Sequence, residues 1–385
     1  MVSIFSKFFK SNAKSVVGVD IGSSSIKIVQ LKKDKGVVEL ETYGSLAIGP
    51  YVKKEVGCSI DNVSDKILLE VFTDLLKESG VSTRSAGLSI PFSASLISLI
   101  EVPNVAEKKL AQIIPYEVRK YIPIPIEEVS IDWFIVPENV LSKAQALFEP
   151  KEEGDELVDT EQKPKDAPKK EDKAKVLLVA IHNDQLSKYK NVAQSSNLNI
   201  NFFEIEIFSV LRSVLPRNFF PTLIIDMGAN TTKFYIVENG VILRSHFINK
   251  GGQDITLALA KSLNFTFSEA EAVKRAEGLS ISDENARRAQ GLVVKDIIGE
   301  INSSLGTFQN KYRKNVGKVV LTGGGSILEG FLDLAKENIN VDIEMASPFF
   351  SIKTPKYLAN SVKRIGPEFS VAIGSALRSL GEEDR

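Results

Sequence analysis

Cysteine and histidine are scarce in this 385-residue chain: Cys58 stands alone, and His182 and His246 are the two imidazoles. A single cysteine excludes an internal disulfide, and the three residues together cannot build a Cys/His zinc centre, so carboxylates would have to hold any metal. Excess charge of either sign is also lacking. With 48 Lys plus Arg against 49 Asp plus Glu, no surplus of cations exists to neutralise a phosphate backbone, which argues against nucleic acid as a partner. Long apolar runs are missing too. The longest unbroken one, Val176 to Ile181, spans six residues, far short of a bilayer crossing. Met1 to Lys10 carries no apolar core or small-residue cleavage site of a signal peptide, so a cytoplasmic location is expected. Ile4, Phe5, Phe8 and Phe9 share a helical face there, read as an arm laid on the body. What remains is an ordinary globular composition, 43% hydrophobic and 25% charged, at a length that suits two or three domains.

Charge is unevenly spread. From Glu149 to Lys175, 10 acidic and 7 basic residues crowd into 27 positions without an aromatic. Such a stretch buries too little to offset its ordering entropy and is expected to be a disordered loop. Strand-like patterns flank it at Val129 to Pro137 and Val176 to Ile181, which makes it an insertion within a domain.

An internal repeat is the most informative feature. Asp20-Ile-Gly-Ser-Ser-Ser-Ile-Lys27 and Asp226-Met-Gly-Ala-Asn-Thr-Thr-Lys233 share one plan: Asp-x-Gly, small hydroxyl or amide residues, then Lys. An apolar strand precedes each octet (16–19 and 222–225) and another follows (26–31 and 233–237). A turn comes next in both, at Lys35-Gly36 and Asn239-Gly240, the latter a strong hairpin signal. Each half therefore opens with a β-meander, as duplicated lobes would. Helical periodicity marks 65–79, 254–263, 268–277, 284–312, 330–338 and 369–380. Strands alternating with helices in two related lobes predict an α/β fold.

A hairpin tip rich in Gly and Ser exposes successive backbone N–H groups able to hold phosphate oxygens. Asp20 and Asp226, brought together from the two lobes, can hold the waters of a Mg²⁺ ion that bridges those phosphates, and Lys27 supplies a point charge. Further on, Val319-Val-Leu-Thr-Gly-Gly-Gly-Ser326 reads as a strand and triple-glycine loop leading to a helix, against which a planar or phosphorylated ligand can lie on bare backbone. Ser268-x-x-Glu271 fits a capping box, in which Glu271 returns a hydrogen bond to the helix start.

Two Asp-x-Gly hairpins followed by a Gly-Gly-Gly-Ser loop resemble the phosphate 1, phosphate 2 and adenosine motifs of the actin, Hsp70 and sugar-kinase superfamily. That resemblance implies a ribonuclease H-like, actin-like fold that binds ATP with Mg²⁺. By it, Gly22, Ser23, Ser24, Ser25 and Lys27 would contact phosphates from one lobe and Gly228, Asn230, Thr231 and Thr232 from the other. Gly323, Gly324, Gly325 and Ser326 would border the adenosine. Glu271 and Lys274 would lie beside the ribose and base, which leaves Glu271 with two readings. Glu206 falls where superfamily ATPases carry a water-positioning residue, with Glu204 as the alternative.

Within the superfamily, several stretches resemble the PilM family of type IV pilus assembly proteins, relatives of the division protein FtsA. They are residues 19–31, Glu117-Val-Arg-Lys-Tyr-Ile-Pro-Ile-Pro-Ile-Glu-Glu-Val129, Gly251-Gly-Gln-Asp-Ile-Thr256, Ser268 to Lys274, and Phe369 to Arg378. The resemblance implies lobe 1 from 1–88, 184–215 and 365–385, an inserted subdomain 1C over 89–183, and lobe 2 from 216–250 and 314–364, with 251–313 as subdomain 2B. It further implies docking of the N-terminal peptide of a PilN-like bitopic membrane protein, and contact with other platform proteins and the assembly ATPase. ATP turnover would be weak or absent, and copies of the chain could self-associate. An FtsA-like division scaffold and, further off, a small-molecule kinase are the competing expectations. A kinase needs a carboxylate base aimed at a substrate hydroxyl, and no such constellation is legible.

Overall fold

Two five-stranded sheets repeat one plan in the computed structural model, which describes residues 14–52, 63–122, 125–136, 173–215 and 220–381. The first sheet holds β1 (Ser15–Ile21), β2 (Ser25–Asp34), β3 (Val37–Ala47), β4 (Ser85–Ile90) and β8 (Asn199–Ile205), ordered β3-β2-β1-β4-β8. The second holds β9 (Thr222–Met227), β10 (Thr232–Glu238), β11 (Val241–Ile248), β12 (Lys318–Thr322) and β13 (Ile343–Met345), ordered β11-β10-β9-β12-β13. Each is an antiparallel meander extended by two parallel strands. The duplication read from the two octets is therefore a duplication of whole sheets, and the α/β, actin-like expectation holds.

Local sequence explains the meanders. Lys35-Gly36 and Asn239-Gly240 all take positive φ, the conformation that a two-residue hairpin turn demands and that Gly and Asn adopt most cheaply. The central strands β1 and β9 are apolar and almost wholly buried, as strands covered on both faces must be. The C-terminal helix Ser370–Ser379 is buried along its whole length and abuts the first sheet. A side chain at Gly18 would strike the carbonyl of Ala372, and one at Gly374 the carbonyl of Ser209. Both positions let backbones meet closely. The second sheet packs its own core of Leu223, Phe234, Ile255, Ile297 and Phe308 beneath the helices Gly252–Leu263 and Glu284–Tyr312.

Residues Leu96–Asn183 form a separate unit. Its sheet contains β5 (Ser95–Pro103), β6 (Val129–Ile135) and β7 (Lys173–His182) in the order β5-β7-β6. It packs Ile100, Leu110, Ile114 and Leu178 together with the helix Glu107–Glu117. An insertion starting at 89 is corrected here: Ser89 pairs with Asp20 inside the first sheet. The charged stretch also ends sooner than expected, because Lys173 to Lys175 already belong to β7, where Val136 N–H donates to the Lys175 carbonyl at 2.9 Å. The N-terminal arm, the loop over 149–172, and Pro123 and Ile124 lie outside the described residues.

Candidate functional site

The two octets form matching hairpins. Asp20 pairs across the strands with Lys27, and Asp226 with Lys233, in the same register. Each tip closes alike, Gly22 N–H donating to the Ser25 carbonyl at 3.0 Å and Gly228 N–H to the Thr231 carbonyl at 2.9 Å. Asp20 and Asp226 are both buried, at 6% exposure, and both line one cleft. Its walls also hold Gly22 to Ser25, Lys27, Glu206, Gly228, Thr231, Lys233, Gly323, Gly324 and Glu368.

Four carboxylates thus face two ammonium groups. Burial pushes Asp20 up to about 6, a rise that Lys27 opposes and Glu206 reinforces. Lys27 is loosely held, 3.9 Å from Asp20 and 4.0 Å from Glu368, with a hydrogen bond to the Ser25 hydroxyl at 3.0 Å. Lys233 is gripped tightly, 2.7 Å from Glu206 Oε2 and 3.4 Å from Asp226 Oδ2. Burial disfavours the Lys233 ammonium, but Glu206 and Asp226 outweigh it and hold its pKa above the ordinary lysine value. The other oxygen of Glu206 accepts the Phe92 N–H at 2.6 Å. Sequence reasoning missed Lys233 as a site residue, although its place at the end of the second octet mirrors that of Lys27.

Glu204 serves elsewhere. Arg212 donates to its two oxygens at 2.7 and 3.0 Å, Arg378 at 2.6 Å and the Ser209 hydroxyl at 2.6 Å. Burial alone would raise this carboxyl, yet the Arg212 and Arg378 charges hold it below the ordinary carboxylate value. Of the two glutamates, Glu206 faces the cleft and Glu204 anchors the strand that delivers it.

Six expected contact residues do not line the cleft. Thr232 is fully buried and donates its hydroxyl to the Lys250 carbonyl at 2.9 Å, so it closes the hairpin from behind. Ser326 turns inward to the Gly323 carbonyl at 2.7 Å, and Gly325 lies against Met227, where a side chain would collide. Asn230 sits at the second tip beside the lining residues Ala229 and Thr231. Glu271 and Lys274 meet each other instead: Lys274 Nζ reaches Glu271 at 2.6 Å, Thr256 Oγ1 at 2.8 Å and the Gly252 carbonyl at 3.0 Å. Those three contacts use all three ammonium hydrogens.

One further correction concerns a helix start. The capping box belongs to Thr266 and Glu269, and Glu271, one turn in, accepts from the Thr256 hydroxyl at 2.6 Å. The helix expected over 330–338 is found at Phe331–Asn338, and turns carry the triple-glycine loop to its N-cap Gly330. A different helix start backs the second hairpin. Gly252 N–H donates to the Gly228 carbonyl at 3.0 Å and Gln253 N–H to the Ala229 carbonyl at 2.8 Å. Side chains at Gly251 would clash with those carbonyls, which gives Gly251-Gly-Gln-Asp its physical reason.

The donor set suits a hydrated divalent cation shared with phosphates: two aspartates on opposed hairpins, with no group of three or more His, Cys, Asp or Glu able to cage an ion among the described residues. Excess negative charge in the cleft would repel a polyphosphate on its own, and a cation resolves that conflict. Nor is any helix among the described residues long and apolar enough to cross a membrane.

The model of the family "Type IV pilus assembly protein PilM" matches residues 18–147 and 159–380. The chain belongs to that family. A solved structure of a PilM-PilN type IV pilus biogenesis complex shares the fold at a TM-score of 0.76 and 22% identity, over 96% of this chain and 99% of that one. The ADP-bound structure of MreB5 from Spiroplasma citri shares it at 0.51 and 12% identity, over 97% and 98%. Among curated proteins, cell division protein FtsA of Enterococcus faecalis is 22% identical over 86% of this chain and 78% of its own length. FtsA of Neisseria meningitidis serogroup B is 29% identical over 39% of this chain and 41% of its own length. The PilM family, FtsA relatives and actin-like neighbours agree with the fold read from the paired hairpins.

Proposed function

We propose that the chain is an ATP- and Mg²⁺-binding actin-like scaffold of the type IV pilus inner-membrane assembly platform, or of the related type II secretion platform. In this role it binds the cytoplasmic N-terminal peptide of a PilN-like bitopic protein. It is cytoplasmic and reaches the inner membrane through that partner, alongside other platform proteins and the assembly ATPase. The observation that carries the reading is a PilM-family chain with two opposed Asp-x-Gly hairpins at one cleft. Within it the first sheet and terminal helix are subdomain 1A, the unit over 96–183 is 1C, the second sheet is 2A, and the helices between 252 and 312 are 2B.

In the nucleotide site, the tips over 22–25 and 228–231 offer backbone N–H and hydroxyl donors to phosphate oxygens. Lys27, loosely paired, swings to the same phosphates, and Asp20 with Asp226 hold Mg²⁺ through water. Gly323 and Gly324 border the adenosine. Asn230, Glu271 and Lys274 would join only through a rearrangement of the second lobe. Glu206 is the carboxylate placed to orient a water molecule. Nucleotide acts chiefly by favouring one conformation, since a ligand stabilises the state that binds it.

Thermal unfolding with and without MgATP tests the site: the melting temperature rises in the natural protein and does not rise in Asp20→Ala. Fluorescence anisotropy with a synthetic peptide from the N-terminus of the bitopic pilus protein tests the role. Saturable binding is expected, and its absence would favour the division-scaffold alternative that the FtsA relatives suggest.

A further inference from the structure

Glu206 is the carboxylate that faces the cleft between the two aspartates, and each of its oxygens already accepts one hydrogen bond. Oε1 accepts the Phe92 N–H at 2.6 Å and Oε2 meets the Lys233 ammonium at 2.7 Å. Neither contact is a loose surface pair, since the Lys233 side chain is 15% exposed and that of Glu206 6%. Lys233 sits on β10 in register with Asp226 and reaches Glu206 on the helix Glu206–Val214 of the other lobe. The equivalent lysine of the first hairpin, Lys27, has no carboxylate closer than 3.9 Å. The second hairpin thus holds its lysine between two carboxylates, closest to Glu206 at 2.7 Å and 3.4 Å from Asp226.

We propose that Lys233 is a positioning residue that keeps Glu206 occupied, so that a nucleotide bound in this cleft is retained rather than hydrolysed. The inference rests on the nucleotide-site reading above. In the step that Lys233 suppresses, the oxygen of a water molecule bonds to the γ-phosphorus while the bond from that phosphorus to the β,γ-bridging oxygen breaks. The water's proton passes to Glu206 Oε2 and then to the departing inorganic phosphate, leaving ADP. The ammonium at 2.7 Å takes one of the two lone pairs of Oε2, and its positive charge opposes arrival of the water's proton at that oxygen.

The test uses the full chain and four proteins: the natural one, Lys233→Met, Lys233→Arg and the double variant Lys233→Met/Glu206→Gln. MgATP affinity is measured by calorimetry, turnover by phosphate release, and the ATP to ADP ratio of the bound fraction after gel filtration by chromatography. The natural protein is expected to return intact ATP. Lys233→Met should bind MgATP more weakly, since it removes a cation beside Asp226, but at saturating MgATP it should turn over roughly tenfold faster or more, as an unmasked general base would allow. Lys233→Arg, which can still pair with Glu206, should stay slow and retain ATP. The double variant should lose the gain. Unchanged turnover in a Lys233→Met that binds ATP would overturn the inference, as would a gain that survives in the double variant. Failure of the natural protein to bind MgATP would instead overturn the nucleotide reading itself. If Lys233→Met does not fold, Lys233→Gln, which is one atom shorter and uncharged but keeps an amide donor, carries the test with a smaller expected rise.

Discussion

The two hairpins share length, register and closing hydrogen bonds, and differ in what stands behind them. Behind Asp20, the neighbouring parallel strand β4 continues into Ile90, a fully buried hydrophobe, and β8 beyond it is fixed by the Glu204, Arg212 and Arg378 cluster. Behind Asp226, β12 ends at Thr322 and the chain turns at Gly323, whose bare backbone lies against the aspartate. One lobe fixes its cleft edge with buried charge and the other with the absence of side chains. The two copies share one backbone plan, and under the proposed function they divide the tasks of holding nucleotide and setting the carboxylate beside it.

Removing the charge support should have the largest effect. Glu204→Ala leaves the Arg212 and Arg378 guanidiniums without their buried partner, at a cost of about 3–5 kcal/mol, read as a lowered first melting transition. The sign of the pH dependence follows from the same residue. Its folded pKa lies below the ordinary 4.5, so the cluster stabilises fully above that value and its contribution is lost as pH falls below it. The variant's deficit should therefore narrow on acidification. A deficit constant from pH 7 to pH 3 would show that Glu204 acts through packing and not through charge.

Next comes the glycine support. Gly323 has φ +85, and a methyl group there would strike the Asp226 carboxylate and stand 2.5 Å from the Met227 carbonyl. Gly323→Ala should cost roughly 1–3 kcal/mol and weaken MgATP binding by displacing Asp226. Ile90→Val, at the matching place behind Asp20, removes one buried methyl and should cost about 1 kcal/mol, leaving nucleotide affinity unchanged. Equal losses of affinity at both positions would erase the asymmetry.

The lysines come third. Under the proposed function, Lys27→Ala would remove a charged hydrogen bond to phosphate worth about 1.5–3 kcal/mol, so calorimetry should find MgATP affinity down at least tenfold. A larger loss at Lys233 than at Lys27 would reverse the roles assigned here.

Much of this was legible beforehand because its causes are local. Asp-x-Gly tips, positive-φ turns at Lys35-Gly36 and Asn239-Gly240, and the periodicity of 284–312 all act within a few residues. What stayed hidden depends on partners distant in the chain. Nothing near Lys233 announces Glu206, 27 residues earlier, and only the meeting of β10 with the helix Glu206–Val214 at one cleft brings the two together. The inward turn of Thr232 and Ser326 likewise depends on Lys250 and on the path of the loop after Gly323. The insertion boundary was placed too early because Ser89 and Ile90 look the same whether they end a core strand or begin a new unit.

The misplaced capping box shows a different limit, and carries the smallest effect. Thr266-Phe-Ser-Glu269 and Ser268-Glu-Ala-Glu271 overlap, so two starts two residues apart satisfy the same pattern. Structure decides between them. Asn264 ends the preceding helix in the left-handed region, and Thr266 at φ −62 and ψ 161 accepts from Glu269 N–H while Glu269 returns to the Thr266 N–H at 2.8 Å. The earlier start frees Glu271 to join Thr256 and Lys274 beside the helix that backs the second hairpin. Thr266→Ala should therefore cost about 1 kcal/mol. A double-mutant cycle of Thr266 with Glu269 should return a coupling of roughly 0.5 kcal/mol or more, and one with Glu271 about zero. Coupling to Glu271 would move the helix start two residues on and return that carboxylate to the cap, detaching it from the second hairpin.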